Sequence, residues 1–306
     1  MEIRKSYLVR KKVFDFIFKA FIYFVSLIIV LLLFFIIFFI FKEFLLLFTK
    51  GYINEYANIK NLFSEMWQPV SVEPKYGIIP LVMGSSKVAF VALLLGLPLG
   101  VLSALYVTVY SPHWFKETIK PVIELIAGLP TVVIGFFMLM VAASFLQNIF
   151  QFDYRLNAIV GGIGVSIVII PIVFTISEER MNSIPRSIIE AAYAIGASKH
   201  HVAWKVILPY SLNAIFSSAI IGGMRAFGET MIVMMATGNA PIPLWDLTLP
   251  VRTMSATIGS EMGEVHIGDE HYTVLFVIGF LLLFITIIFN IIANLISNLI
   301  RKKLYS

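Results

Sequence analysis

A chain of 306 residues that is 59% hydrophobic and 13% charged, with a mean hydropathy of +0.92, carries too little charge for a soluble domain of its size. It has no cysteine, which excludes disulfides and thiolate metal sites, and its five histidines are scattered, with His200 and His201 adjacent and so projecting apart. The net charge of +5 raises nucleic-acid binding, but in a membrane protein it reflects basic loops on one side of the bilayer, a distribution that can be counted.

The first 20 residues hold Arg4, Lys5, Arg10, Lys11, Lys12 and Lys19, and an apolar run from Phe21 to Phe41 follows. The run is about twice the length of a signal-peptide core, and Lys42-Glu43-Phe44-Leu45 offers no small-residue cleavage site. It is expected to be an uncleaved first span. Having neither glycine nor proline, it reads as a lipid-facing helix outside the bundle. Five further spans are predicted: Leu81–Val109, Pro121–Leu146, Leu156–Ser177, Pro209–Thr237 and Thr273–Ser297. The fold expected is all-α, a polytopic membrane bundle of six transmembrane helices. The remaining organisation expected is an extracytoplasmic loop at 43–80, a core of five spans at 81–298 and a tail at 299–306.

With the N-terminus inside, both termini are cytoplasmic. The segments then assigned to the cytoplasm (1–20, 111–120, 178–208, 298–306) hold 15 Lys and Arg, against 6 in the external segments 42–80, 147–155 and 238–272. That asymmetry is the one expected of an inner-membrane protein. Pro98, Gly128-Leu129-Pro130 and Pro171 interrupt the second, third and fourth spans. Gly161, Gly162, Gly164, Gly222 and Gly223 suit either close helix packing or hinging. Lys87 is expected to snorkel from the external end of its span, and Glu124 to sit at the interface.

Segment 178–208 is the least membrane-like stretch of the interior. Ser183-Ile184-Pro185 signals a helix start, and Gly196 suits a left-handed stop after Ile195. Ser198 then caps a second short helix, which Leu208-Pro209 closes. By itself this is an amphipathic interfacial hairpin. Its spacing is more specific. Glu190-Ala191-Ala192, three residues, Gly196, nine residues, Val206, one residue and Leu208-Pro209 resembles the EAA loop of ABC importer permeases, with Val206 where the family has Ile. In that family the loop receives a separate ATPase. The low relief of Ala191 and Ala192, the charge of Glu190 and the angle set by Gly196 fit such a dock. The resemblance implies the type I importer permease fold.

Several landmarks resemble, more narrowly, the PstC-type permease of phosphate importers. These are Trp67-Gln-Pro69, Tyr76-Gly77-Ile-Ile-Pro80 with Gly84, Ala127 through Gly135, Arg225-Ala-Phe-Gly228-Glu229-Thr230-Met231 with Gly238-Asn239, and Glu261-Met-Gly263-Glu264. Gly84-Ser85 stands for an expected Gly-Thr, and Met262 replaces an aromatic residue. The resemblance runs from about Trp67 to the C-terminus. Arg225 and Glu229, four apart within the fifth span, share a helical face. Arginine offers permanent, forked recognition of phosphate oxygens, and its cost in the bilayer keeps it inside the bundle. The pair is either a structural ion pair or part of an anion path, with Thr131 as a possible hydroxyl on that path or a cap for backbone freed by Pro130.

The resemblance implies a PstA-type permease as heterodimeric partner, two ATPase subunits, an extracytoplasmic phosphate-binding protein and no nucleic acid. No Gly-x-x-x-x-Gly-Lys-[Ser/Thr] loop is present, so this chain is expected to carry no cofactor and no enzyme activity, with ATP and Mg on the partner ATPase. Molybdate, tungstate or sulfate are alternative cargoes. A secondary transporter or channel is the alternative class, and it leaves the EAA-like loop without a purpose. An integral-membrane enzyme lacks paired catalytic carboxylates, a metal cluster or a nucleophile elbow. The external loops carry nine acids (Glu43, Glu55, Glu65, Glu73, Asp246, Glu261, Glu264, Asp269 and Glu270) against five basic residues, a surface able to steer a basic partner.

Overall fold

The computed structural model describes the backbone of residues 2–49 and 59–305, and the side chains at 12, 14–46 and 60–296. Glu55 and the side chains of Arg4, Lys5, Arg10 and Lys11 lie outside the described residues. In chain order the elements are α1 (Glu2–Thr49), α2 (Ile59–Leu62), a hairpin of β1 (Trp67–Gln68) and β2 (Lys75–Tyr76), α3 (Ile79–Leu105), α4 (His113–Ala127), α5 (Thr131–Phe137), α6 (Ala143–Phe150), α7 (Ala158–Asn182), α8 (Arg186–Ala194), α9 (Lys199–Val202), α10 (Leu208–Phe227), α11 (Met231–Ala236), α12 (Met254–Glu261) and α13 (Glu270–Tyr305). Among the described residues six stretches are long and apolar enough to cross a membrane: Phe14–Leu46, Ile79–Tyr110, Thr131–Phe150, Ala158–Asn182, Lys199–Phe227 and Glu270–Ile296.

The core is built on α3 and α7, which run side by side in the same direction. A Cβ on Gly162 would fall 2.5 Å from Val91, and one on Gly100 would fall 2.8 Å from Val173. Only hydrogen fits at those crossings, so these glycines serve close packing. The α10 helix crosses the same pair in the opposite direction, with Gly222 against Ile169 and Leu93. Pro98 and Pro171 lie within continuous helices. By contrast α1 rests mainly on α13, through Phe39–Phe276, Phe41–Phe280 and a 4.0 Å Phe44–Phe280 stack, with Phe44 and Leu46 also against the cluster of Leu62 and Ile78, and most of its apolar side chains are exposed.

Three spans contain a π turn: Tyr106–Tyr110 after α3, Met138–Ala142 between α5 and α6, and Ala203–Ile207 between α9 and α10. Each stores one residue more per turn than an α-helix.

The structure corrects several boundaries. The third span does not begin at Pro121. Residues 113–127 form the amphipathic, largely exposed α4, on which Glu124 is exposed, and Gly128 ends it with its N–H on Glu124 O. Pro130 is extended, so α5 starts afresh at Thr131. The fifth span is not one helix to Thr237, because Gly228 stops α10 and the chain restarts as α11. Ser183 is the C-cap of α7 rather than the N-cap of α8, a place taken by Pro185. Leu208-Pro209 does not close the second short helix, since α9 passes through its π turn directly into α10. Proline at the start of a helix sacrifices a donor that has no partner there, so Pro209 is compatible with that continuity.

Candidate functional site

The break between α10 and α11 holds the two charges singled out from the sequence. Arg225 lies in the last turn of α10, and Glu229 lies just past its end, so the pair spans the helix terminus rather than sharing one helical face. Arg225 Nη1 is 2.6 Å from Glu229 Oε2. That oxygen has no aligned hydrogen bond, so the contact is one of charge. Glu229 is 3% exposed and the arginine side chain 37%. The other carboxylate oxygen weakly accepts from Ile232 N at 3.5 Å, at the restart of the chain as α11. Thr131 is half-buried at the start of α5 and makes no hydrogen bond with either charge among the described residues.

The short helix α12 fixes this break from the other side. Ser255 Oγ donates to the Glu229 backbone carbonyl at 2.6 Å, and Thr253 caps α12 by accepting from Ala256 N. Ser85 on α3 accepts from Met254 N at 3.0 Å. Gly84, one residue before it, is so close that a Cβ would fall 2.2 Å from Arg252 O. The Gly84-Ser85 pair is thus the seat of α12. Gly238 and Asn239 both have positive φ (79 and 50) and turn the chain from α11 into the 240–250 loop, whose end returns as Val251 N to Thr237 O.

At the far end of α12, Glu261 gathers residues from distant parts of the chain. It accepts from Trp67 Nε1 at 3.2 Å and pairs with Arg252 Nη2 at 2.5 Å and His271 Nε2 at 2.9 Å. Tyr76 packs on Trp67 and His271. Burial, reinforced by the charges of Glu270 and Asp269, pushes its phenol up to about 12. Glu261 is therefore not a free steering charge, and neither is Glu43, buried on α1 beside Lys42. Asp246 is exposed, and hydrogen bonds from Thr248 N and Oγ1 hold its carboxyl below the usual range.

Lys87 does not snorkel. It is completely buried and donates to the carbonyls of Leu244 at 2.5 Å and Asp246 at 3.3 Å. Sequence reading also missed the buried Glu178 on α7, which pairs with Lys120 of α4 at 2.7 Å and accepts from Asn182. A glutamate in the charged Glu178-Glu179-Arg180 run at a helix end carries no signal of such a partner.

The EAA-like segment forms a surface knuckle at the opposite ends of α7 and α10 from the Glu229 break. Glu190 and Ala191 on α8 are exposed, Ala192 is half-buried against the core, and Ile195 is 88% exposed. Gly196 turns the chain at φ +86 with nothing near its missing Cβ, so the requirement for glycine there is conformational. Leu208 and Pro209 are half-buried at the start of α10.

Residues 96–304 match the family described as binding-protein-dependent transport system inner membrane component. Among curated relatives, the probable ABC transporter permease YqgH of Bacillus subtilis is 32% identical over 74% of each chain. The phosphate transport system permease PstC of Mesorhizobium japonicum is 30% identical over 71% of this chain and 72% of its own, and PstC of Xylella fastidiosa is 28% identical over the same shares. Among solved structures, a chain of the bacterial alginate ABC transporter in complex with an alginate-bound periplasmic protein superposes with TM-score 0.58 at 15% identity, covering 89% of this chain and 93% of its own. A chain of the MetNI methionine ABC transporter, inward facing, gives TM-score 0.55 at 20% identity over 73% and 94%.

Proposed function

This chain belongs to the binding-protein-dependent transport system inner membrane components, as a multi-pass permease subunit of an ABC importer, and we propose that its cargo is inorganic phosphate. The observation that carries the proposal is the Arg225–Glu229 pair, set where α10 breaks inside the bundle. The phosphate assignment of the PstC relatives supports it. The guanidinium is half-exposed while its carboxylate partner is buried, so Arg225 can turn donors toward an arriving anion without leaving Glu229. Glu229 neutralises the arginine between cargoes and keeps it from holding phosphate too tightly to release. Thr131 stands as an accessory hydroxyl on the path.

In this reading both termini are cytoplasmic, and the knuckle bearing Glu190, Ala191, Ala192 and Gly196 seats one of two ATPase subunits, which hold ATP and Mg. A PstA-type permease completes the pore, and an extracytoplasmic phosphate-binding protein delivers the cargo. ATP-driven closure of the ATPase dimer moves α8, and α9 transmits the motion through Leu208 and Pro209 into α10, the helix that ends at Arg225.

The test is reconstitution of the purified complex with its binding protein. Phosphate uptake should depend on ATP and exceed molybdate and sulfate uptake, and Arg225→Ala should abolish it with assembly intact. Equal uptake of the other oxyanions would refute the phosphate assignment, and normal uptake by Arg225→Ala would remove the arginine from the path.

A further inference from the structure

The charge balance of the bundle interior points to a residue other than Arg225. With Glu229 at 2.6 Å, the Arg225 site is close to neutral overall. Lys87 is a buried cation without a close counter-ion. Among the described residues no carboxylate lies within ion-pair distance of it, and its two partners are backbone carbonyls, which supply dipoles but no full charge. Asp246 attracts Lys87 from a distance, but that carboxylate is turned to Thr248 and exposed to solvent, where its field is weakened by screening.

The two cations sit on facing helices in the same half of the bundle. Leu93 of α3 meets Gly222 and Gly223 of α10. Lys87 is six residues before Leu93, and Arg225 is two after Gly223 on a helix of opposite direction. At about 1.5 Å per residue the offset along the bundle is roughly 6 Å, and with helix axes about 8–10 Å apart the two backbone positions are about 10 Å from each other.

Resting on the anion-importer reading above, we infer that Lys87 supplies the net positive field that concentrates the anion at Arg225, acting at a distance rather than by contact. A unit charge about 10 Å away in an effective dielectric near 20 changes the local population of a monoanion by about tenfold, and of a dianion by more. The same ammonium pins the 240–250 loop through the Leu244 and Asp246 carbonyls, so one side chain has two separable duties.

Lys87→Gln separates them, because the amide keeps N–H donors for the loop and removes the charge. Lys87→Met removes both. In proteoliposomes holding the whole importer and its binding protein, the readout is anion moved per ATP hydrolysed. Lys87→Gln should assemble, hydrolyse ATP within about twofold of wild type, and move about tenfold less phosphate per ATP. Asp246→Asn, a change at an exposed carboxylate, should leave that ratio at or above wild type. A wild-type ratio in Lys87→Gln, its failure to assemble, or a lowered ratio in Asp246→Asn would each overturn the inference and leave Lys87 as a pin. Failure of the phosphate reading shows separately, in the wild-type complex, as uptake of another oxyanion. The Lys87 comparison is then made with that anion.

Discussion

Removing Arg225 strands a buried carboxylate, and the cost of doing so can be worked from the geometry. Glu229 is 3% exposed, and without the guanidinium its remaining contact is the 3.5 Å approach of Ile232 N. Breaking a fully buried ion pair by deleting one partner costs about 3–5 kcal/mol. Here the arginine side is 37% exposed, so water solvates part of the pair and the expected cost of Arg225→Ala falls to about 2–3 kcal/mol. Adding Glu229→Gln removes the stranded charge at nearly constant volume, so the double variant should recover most of that loss, a coupling of about 1–3 kcal/mol. The assay is the apparent melting temperature of the purified permease complex at one scan rate. Arg225→Ala should lower it by on the order of 5 °C, and Arg225→Ala with Glu229→Gln should regain more than half. Both variants should be inactive in phosphate uptake. A double variant no more stable than Arg225→Ala would refute the buried-pair reasoning.

The seat of α12 admits no side chain at Gly84, so Gly84→Ala should push α12 off α3, cost about 1–3 kcal/mol and lower uptake, whereas Gly263→Ala, with nothing within 4 Å, should melt like wild type. Tyr76 titrates near 12 when folded and near 10 when unfolded, so the unfolded state binds fewer protons between those values. Stability is then full below pH 10 and falls toward pH 12, at up to about 1.4 kcal/mol per pH unit. Tyr76→Phe should flatten that part of the curve, read from melts across pH 9–12. On the importer reading, which puts these loops outside, the exposed Glu73, Glu264 and Asp269 are free to steer a basic donor protein, and the clamped Glu261 is not. Charge reversal at Glu264 and Asp269 should weaken donor binding and flatten its salt dependence, whereas Glu261→Gln should act on stability.

What the sequence disclosed and what it withheld follow from the range of each interaction. The spans were legible because a bilayer demands some twenty apolar residues in a row, and the EAA-like knuckle because its chemistry is local. Gly196 takes its left-handed turn and Ser198 caps α9 through His201 N, both within a few residues of the signal. The break at Gly228 was hidden by an apolar run that continues through Met231–Ala236. The α4 helix was merged into the third span because its apolar face reads like the start of one until Pro130 intervenes. Glu261 was read as a surface charge since its partner Trp67 is 194 positions away, and Lys87 was read as snorkelling since its acceptors are backbone carbonyls of a loop more than 150 positions on. Neither neighbour leaves a mark beside the residue it satisfies.

The π turn at Ala203–Ile207 bears on what α9 can tell α10. One extra residue in a helical turn is a stored increment of phase. If that turn relaxes to α-helical winding, everything on one side rotates about 100° and shifts about 1.5 Å against the other. On the importer reading, a push on the knuckle can therefore reach Arg225 as a twist of α10 about its own axis, redirecting the guanidinium within the bundle with an axial shift of only about 1.5 Å. Such a motion needs no tilt of the bundle and no new cavity. The register of the helix is then itself a moving part.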